Sequence, residues 1–150
     1  MSTLRYVETI GMTDDEAFSY LSDAPSGVLA LASEGRAYAV PISHTVRDGT
    51  LYLRVTDEGT SEKLEFLEHT EEASFVCYGE DGNASWSVVV RGALREAGTD
   101  KVGEDPFEPI RVFGDDVDEI TVRVFEFDDP GVTARRTVGE QPWEVVLPRD

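Results

Sequence analysis

Arg36-Ala37-Tyr38-Ala39-Val40-Pro41-Ile42-Ser43-His44-Thr45-Val46, then Arg47-Asp48-Gly49, then Thr50-Leu51-Tyr52-Leu53-Arg54-Val55, reads as an antiparallel hairpin. Both arms have the two-residue period of a strand. Asp-Gly between them supplies the positive φ angles of a tight hairpin turn. The period places Tyr38, Val40, Ile42 and His44 on one face, and Ala39, Pro41 and Ser43 on the other. That second face is small-sided and lets a flat ligand approach the backbone. Pro41 has no N–H to give a neighbouring strand. It marks an edge or bulge, or it leaves nearby carbonyl and amide groups free for a ligand. Both readings stay open at this point.

Past the second arm, Gly59-Thr60-Ser61-Glu62-Lys63-Leu64 opens a short helical pattern. A helix is expected from about Ser61 to His69, with Leu64 and Leu67 buried. Its first turn holds a lysine, where free N–H groups already carry partial positive charge. The chain has two lysines, Lys63 and Lys101. A bound anion resolves the conflict, because Ser61 Oγ, the free N–H groups and Lys63 converge on it. The pattern therefore predicts a phosphate site. The ordinary alternative is that Lys63 pairs with Glu58 or Glu62 on a solvated face.

Outward from this centre the elements stay short. Thr13-Asp14-Asp15-Glu16 is a capping box opening a helix through about Leu21, with Ala17, Phe18 and Leu21 as its apolar stripe. Gly27 to Ala32 is an apolar run of the kind found in strands buried on both faces. Ala73 to Tyr78 and Ser85 to Glu96 are further strands, separated by a polar turn at Glu80 to Asn83. The longer one places Trp86, Val88, Val90, Gly92 and Leu94 on one face, and Ser87, Val89 and Arg91 on the other. Apolar groups on both faces call for two covers, the barrel itself and a second subunit. Gly98 to Asp118 is expected to hold a short helix, Ile120 to Phe127 a sixth strand and Val132 to Val138 a seventh. Many short strands with few helices predict a mainly β fold, a barrel or sandwich, in one domain spanning 1–150.

The composition restricts function. The 150 residues hold 13 Lys+Arg against 31 Asp+Glu, a net charge of −18. Such a chain repels nucleic acid and anionic membranes, so neither is expected as a partner. The acid is spread along the chain and its cations are nearly all arginine. That pattern predicts a salt-rich cytosol, hence a halophilic, cytoplasmic protein. Cys77 is the only cysteine, so an intrachain disulfide and a multi-cysteine zinc site are excluded. It lies in an apolar run and reads as core. No P-loop, dinucleotide glycine fingerprint, nucleophile triad or metal constellation is present.

Gly27-Val28-Leu29-Ala30, Ala39-Val40-Pro41-Ile42-Ser43, Leu51-Tyr52-Leu53-Arg54, Ser61-Glu62-Lys63-Leu64 and Ser85-Trp86-Ser87-Val88-Val89-Val90-Arg91-Gly92 occur in this order. In order and spacing the chain resembles the flavin-nucleotide-binding split barrels. That group includes pyridoxamine 5′-phosphate oxidases and nitroimidazole-resistance proteins. With its acidic charge the chain resembles the haloarchaeal kind. The resemblance implies a Greek-key split barrel and a homodimer holding FMN at its interface. It implies that Val40, Pro41, Ile42 and Ser43 line the flavin ring with backbone groups. Arg54, Val55, Ser61 and Lys63 would hold the ribityl chain and phosphate. Ser87, with Trp86 beside it, would reach the flavin from the other subunit. The C-terminal tryptophan and arginine pattern of true pyridoxamine phosphate oxidases is absent, and Trp143 does not replace it.

The function this implies is an FMN-dependent oxidoreductase acting on a small molecule. The alternative is a flavin carrier, store or redox sensor without turnover. Haem or a deazaflavin in the same barrel is a third reading, with His44 as the one candidate haem ligand. His44 is otherwise a structural histidine or a proton donor near the flavin. His69, at a helix C-terminus, is assigned no chemistry. The halophile expectation has a direct check. The melting temperature should rise across a series of increasing salt, and full stability at low ionic strength would remove the idea.

Overall fold

A computed structural model of the chain describes residues 8–57, 62–82, 84–98 and 121–138. Its elements are β1 (Glu8–Gly11), α1 (Asp14–Asp23), β2 (Gly27–Ser33), β3 (Arg36–Arg47), β4 (Thr50–Asp57), α2 (Glu62–His69), β5 (Ala73–Asp81), β6 (Ala84–Ala97) and β7 (Thr121–Val138). The helix expected within Gly98 to Asp118 lies outside the described residues, as do Ser61 and Trp143.

The quoted hairpin forms as its alternation demands. Arg47 pairs with Thr50 across Asp48 and Gly49, whose φ angles are +51° and +76°. Both central residues are thus in the left-handed region, as in a primed hairpin turn. β2, β3 and β4 make an antiparallel meander. The chain then crosses through α2, which packs against β2 and β3, and re-enters as β5 on the free side of β2. β6 follows β5, and β7 closes the sheet by pairing with both β6 and β4. Six strands form a closed barrel in the order β7-β4-β3-β2-β5-β6, and β1 adds to the end of β7. This is the mainly β split-barrel fold expected.

The barrel interior is apolar. Leu29, Leu53, Val55, Phe75, Val88 and Val90 have no exposed surface. α1 closes one end with Ala17 and Leu21, and its capping box joins Thr13 and Glu16 as expected. Gly27 sits where the chain enters the barrel. A Cβ there would lie 2.4 Å from Phe75 and 2.7 Å from the Val76 carbonyl.

Three expectations change. The helix α2 fully buries Phe66, whereas Leu64 and Leu67 are half-buried. Phe66 stacks on Tyr38 at 5.3 Å, and the Arg36 guanidinium lies over the Phe66 ring, 5.6 Å from its centre. The sixth and seventh strands are one strand, β7. Asp128-Asp129-Pro130-Gly131 has turn composition, but β6 pairs with both halves across a register shift between Arg91 and Ala93. The chain therefore bends there without reversing. The third change is β1, which is too short to show alternation in sequence.

Candidate functional site

β3 changes partners along its length. Residues Ser43 to Arg47 pair with β4, and the ladder stops at Ser43 opposite Arg54. From Gly27 to Ser33, β2 pairs with the other half of β3, Arg36 to Ile42. Among the described residues that half has no second strand beside it. Pro41, which has no N–H to donate, lies two residues beyond the last β3–β4 pair. The proline thus marks an edge, and the edge leaves backbone groups of Ala39 to Ile42 without a second ladder. The two readings of Pro41 describe one arrangement.

Cations gather at the same parting. Arg54 is half-buried at the last pair, and its guanidinium has no ion pair or hydrogen bond among the described residues. Lys63 stands in the first turn of α2, and its Nζ donates to Thr56 Oγ1 at 3.3 Å. Among the described residues it has no carboxylate partner: Glu62 is paired with Arg36, and Glu58 lies outside the described residues. Thr56 went unnoticed in the sequence because only the fold brings it to Lys63. Ser43 is 1% exposed and faces outward, while Val55 is wholly buried and offers only its backbone.

The outer face of the barrel beside this edge is small and apolar. Register puts Pro41, Val28, Val76, Val89 and Thr133 in one row across β3, β2, β5, β6 and β7. Ala39, Ala30 and Ser74 lie in the row below, and Tyr78, Ser87 and Arg135 in the row above. Tyr78 is 76% exposed. Trp86 is on the interior side, buried against Tyr20 with ring centres 4.8 Å apart. Three strand spacings separate β6 from β3, about 14 Å. Within one chain, the structure therefore brings Val40 to Ser43, Arg54 and Lys63 together and holds Ser87 apart from them, while Trp86 and Pro41 line one cleft.

A cleft of about 650 Å3 opens between the end of α1, the segment 24–27 and the end of β5, with Pro41, Val28 and Val76 on its wall. Tyr20 donates from its hydroxyl to Asp81 Oδ2 at 3.0 Å, joining α1 to β5 across this opening. Desolvation, then the hydrogen bond and charge of Asp81, raise the Tyr20 pKa, while the Arg136 charge opposes the rise.

His44 is 6% exposed and points into the barrel. Its Nε2 lies 2.7 Å from the Leu21 carbonyl, one of the last carbonyls of α1, and Nδ1 is buried without a partner among the described residues. The geometry fixes the neutral tautomer with Nε2–H donating to Leu21. Burial lowers the His44 pKa, with the Leu21 carbonyl working against it. His44 holds α1 on the barrel and faces away from the small-sided surface. Cys77, 4.0 Å from His44 Nε2, is buried too, and desolvation pushes its thiol up to about 12. Among the described residues there is no cluster that would hold a metal ion, and no helix long and apolar enough to cross a membrane.

The fold and the parted edge define a class, the split barrels. The family model for pyridoxamine 5′-phosphate oxidase matches residues 13–105. That is well over half of the chain, and the chain belongs to this family. Its fold is similar to that of an FAD binding protein from Mycobacterium smegmatis, at 18% identity over 84% of this chain and 96% of that one, with a TM-score of 0.65. An FAD-binding protein from Mesorhizobium loti is similar at 20% identity, 89% and 98% coverage and a TM-score of 0.62. A heme binding protein from Mycobacterium smegmatis is similar at 22% identity, 76% and 50% coverage and a TM-score of 0.54. At these identities the likeness is one of fold. No curated protein matches the chain.

The His44 contact predicts a pH dependence. A histidine with a native pKa below its unfolded value, about 6.5, is protonated first in the unfolded chain. Its contribution is complete above about pH 6.5 and is lost as pH falls toward the native value. His44→Gln keeps an N–H donor but does not titrate. Urea unfolding at pH 7.5 and pH 5 should show a smaller loss for His44→Gln than for the wild type. Equal losses in the two proteins would contradict the assignment.

Proposed function

We propose that this protein binds FMN at the parting of β3 and β4 and is an FMN-dependent oxidoreductase acting on a small molecule. The observation that carries the reading is the pair of cations, Arg54 and Lys63, that have no carboxylate partner among the described residues, beside a strand edge that no described strand ladders. In a chain where carboxylates outnumber cations 31 to 13, ion pairing would be easy to satisfy. These two stay available for an anion. The site residues fit a flavin nucleotide. Arg54, Lys63, Ser61 and the backbone of Val55 take the phosphate end, the arginine by its planar fork and the lysine as a point charge. Backbone groups of Val40, Pro41, Ile42 and Ser43 face the ring. When bound, the flavin supplies the redox chemistry, and the chain's residues bind it and orient it.

The apolar outer rows support a homodimer with the cofactor at its interface. A face with exposed Pro41 and half-buried Val28, Val76 and Val89 in one row is suited to burial against a copy of itself. Ser87, about 14 Å from β3 in its own chain, would then serve the partner's site, with Trp86 beside it. The acidic charge and the fold support a halophilic, cytoplasmic protein.

A second reading has a specific observation behind it. The two groups in the barrel best suited to proton or thiol chemistry, His44 and Cys77, face the interior, and burial holds the histidine neutral and the thiol protonated. This favours a flavin carrier, store or sensor that needs no acid–base group of its own. His44 is also buried inside the barrel rather than on the face where the cofactor is proposed, which speaks against haem ligation there. Reduction by a nicotinamide followed by electron passage to an acceptor separates the enzyme from the carrier.

Lys63→Ala should weaken FMN binding by about 1–3 kcal/mol, the value of a charge-assisted hydrogen bond. Fluorescence titration of the apoprotein with FMN measures it. An unchanged dissociation constant would rule out the phosphate assignment.

A further inference from the structure

Tyr20 of α1, Trp86 of β6 and Asp81 of β5 meet at the wall of the cleft of about 650 Å3. The Tyr20 and Trp86 rings are 4.8 Å apart between centres and tilted by 32°. Gly79 pairs with Trp86 in the β5–β6 ladder, and a Cβ there would lie 3.1 Å from the indole. The glycine thus lets the β5 backbone seat the ring closely. Trp86 is 9% exposed, Tyr20 is half-buried and Asp81 is exposed. The three residues therefore run from a buried indole to solvent. The step between the last two is a hydrogen bond, from the Tyr20 hydroxyl to Asp81 Oδ2 at 3.0 Å.

A phenol gives up an electron readily only when its proton can leave in the same event. Asp81 is an acceptor already in place for that proton. Desolvation and Asp81 keep the proton on the phenol until then. Electronic coupling falls steeply with distance, so an indole in contact with this phenol has a donor that an isolated indole lacks. Cys77 lines the same cleft, but burial holds its thiol protonated and makes it the slower donor.

We propose that Tyr20, Trp86 and Asp81 form a relay that carries an oxidising equivalent from the cleft wall to the protein surface. A one-electron oxidant that enters the cleft takes an electron from the Trp86 indole. Tyr20 returns one electron to the indole, and its phenolic proton passes to Asp81. Trp86 is restored, Tyr20 becomes a neutral phenoxyl radical, and Asp81 becomes a neutral acid that gives its proton to water. A one-electron reductant in solution, such as a thiol, then restores the phenol with a proton from water. The relay needs no bound cofactor.

Pulse radiolysis of the full-length protein tests it, in a Trp143→Phe background where Trp86 is the one indole. The oxidant is the azidyl radical, which oxidises indoles faster than neutral phenols. The indole radical absorption should decay as the phenoxyl absorption grows, at one rate independent of protein concentration. Tyr20→Phe keeps the stacked ring without its hydroxyl and should lose this conversion. Asp81→Asn should slow it roughly tenfold, because the ionised proton acceptor is gone. Tyr78→Phe, at the exposed tyrosine of the same cleft, should leave it unchanged. The Tyr20→Phe comparison is repeated with both tryptophans present, where part of the conversion should disappear. An indole radical that decays with no phenoxyl growth overturns the proposal. So does a conversion unchanged in Tyr20→Phe or in Asp81→Asn, or one lost in Tyr78→Phe. FMN content is measured on the same samples. A protein that makes the conversion but never holds FMN keeps the relay and loses the cofactor reading, and one that holds FMN without the conversion loses the relay alone.

Discussion

The structure turns on the parting of β3 from β4 after the Ser43–Arg54 pair. A fully laddered barrel would satisfy every backbone group of its strands with other strands. Here β3 gives up one neighbour over half its length, at the point where Pro41 could not have donated to it. α2 fills part of the space, with Phe66 stacked on Tyr38. This leaves an edge, a helix N-terminus and two cations in one place. Each alone is ordinary. Together they make a groove with donors at one end and backbone groups along its side.

Charge gives the arrangement its meaning. At −18, most cations of the chain should find carboxylates, and Arg36, Arg95 and Arg123 do. Exposed pairs of this kind add little stability. Among the described residues no such pair forms at Arg54 or Lys63, which is more telling than the pairs elsewhere. The acidic surface also sets a background against which anions reach the protein only where positive charge is concentrated.

Much of this was legible in the residues. The Asp48-Gly49 turn fixed the central hairpin, because few residues accept two successive positive φ angles. The Thr13–Glu16 box fixed the start of α1, since both halves of the cap lie within four residues. Lys63 pointed to its site through local electrostatics alone. What stayed hidden depended on pairing between distant segments. Asp128-Asp129-Pro130-Gly131 has the composition of a turn, and only the long β6 ladder makes it a bend. The leucines of α2 give no hint of Phe66, whose buried face is set by Tyr38 and Arg36 of β3. Arg136 and Tyr78 carry no local signal, since their burial and exposure arise from β5, β6 and β7 lying side by side.

The central claim is that the parted edge holds a flavin nucleotide. The most direct measurement is the absorbance spectrum of the protein purified in high salt, with the chromophore released by heat and identified by chromatography. The account predicts a flavin band and FMN at about one per chain. A colourless protein that also takes up no added FMN would contradict it, leaving a split barrel whose edge and cations serve something else.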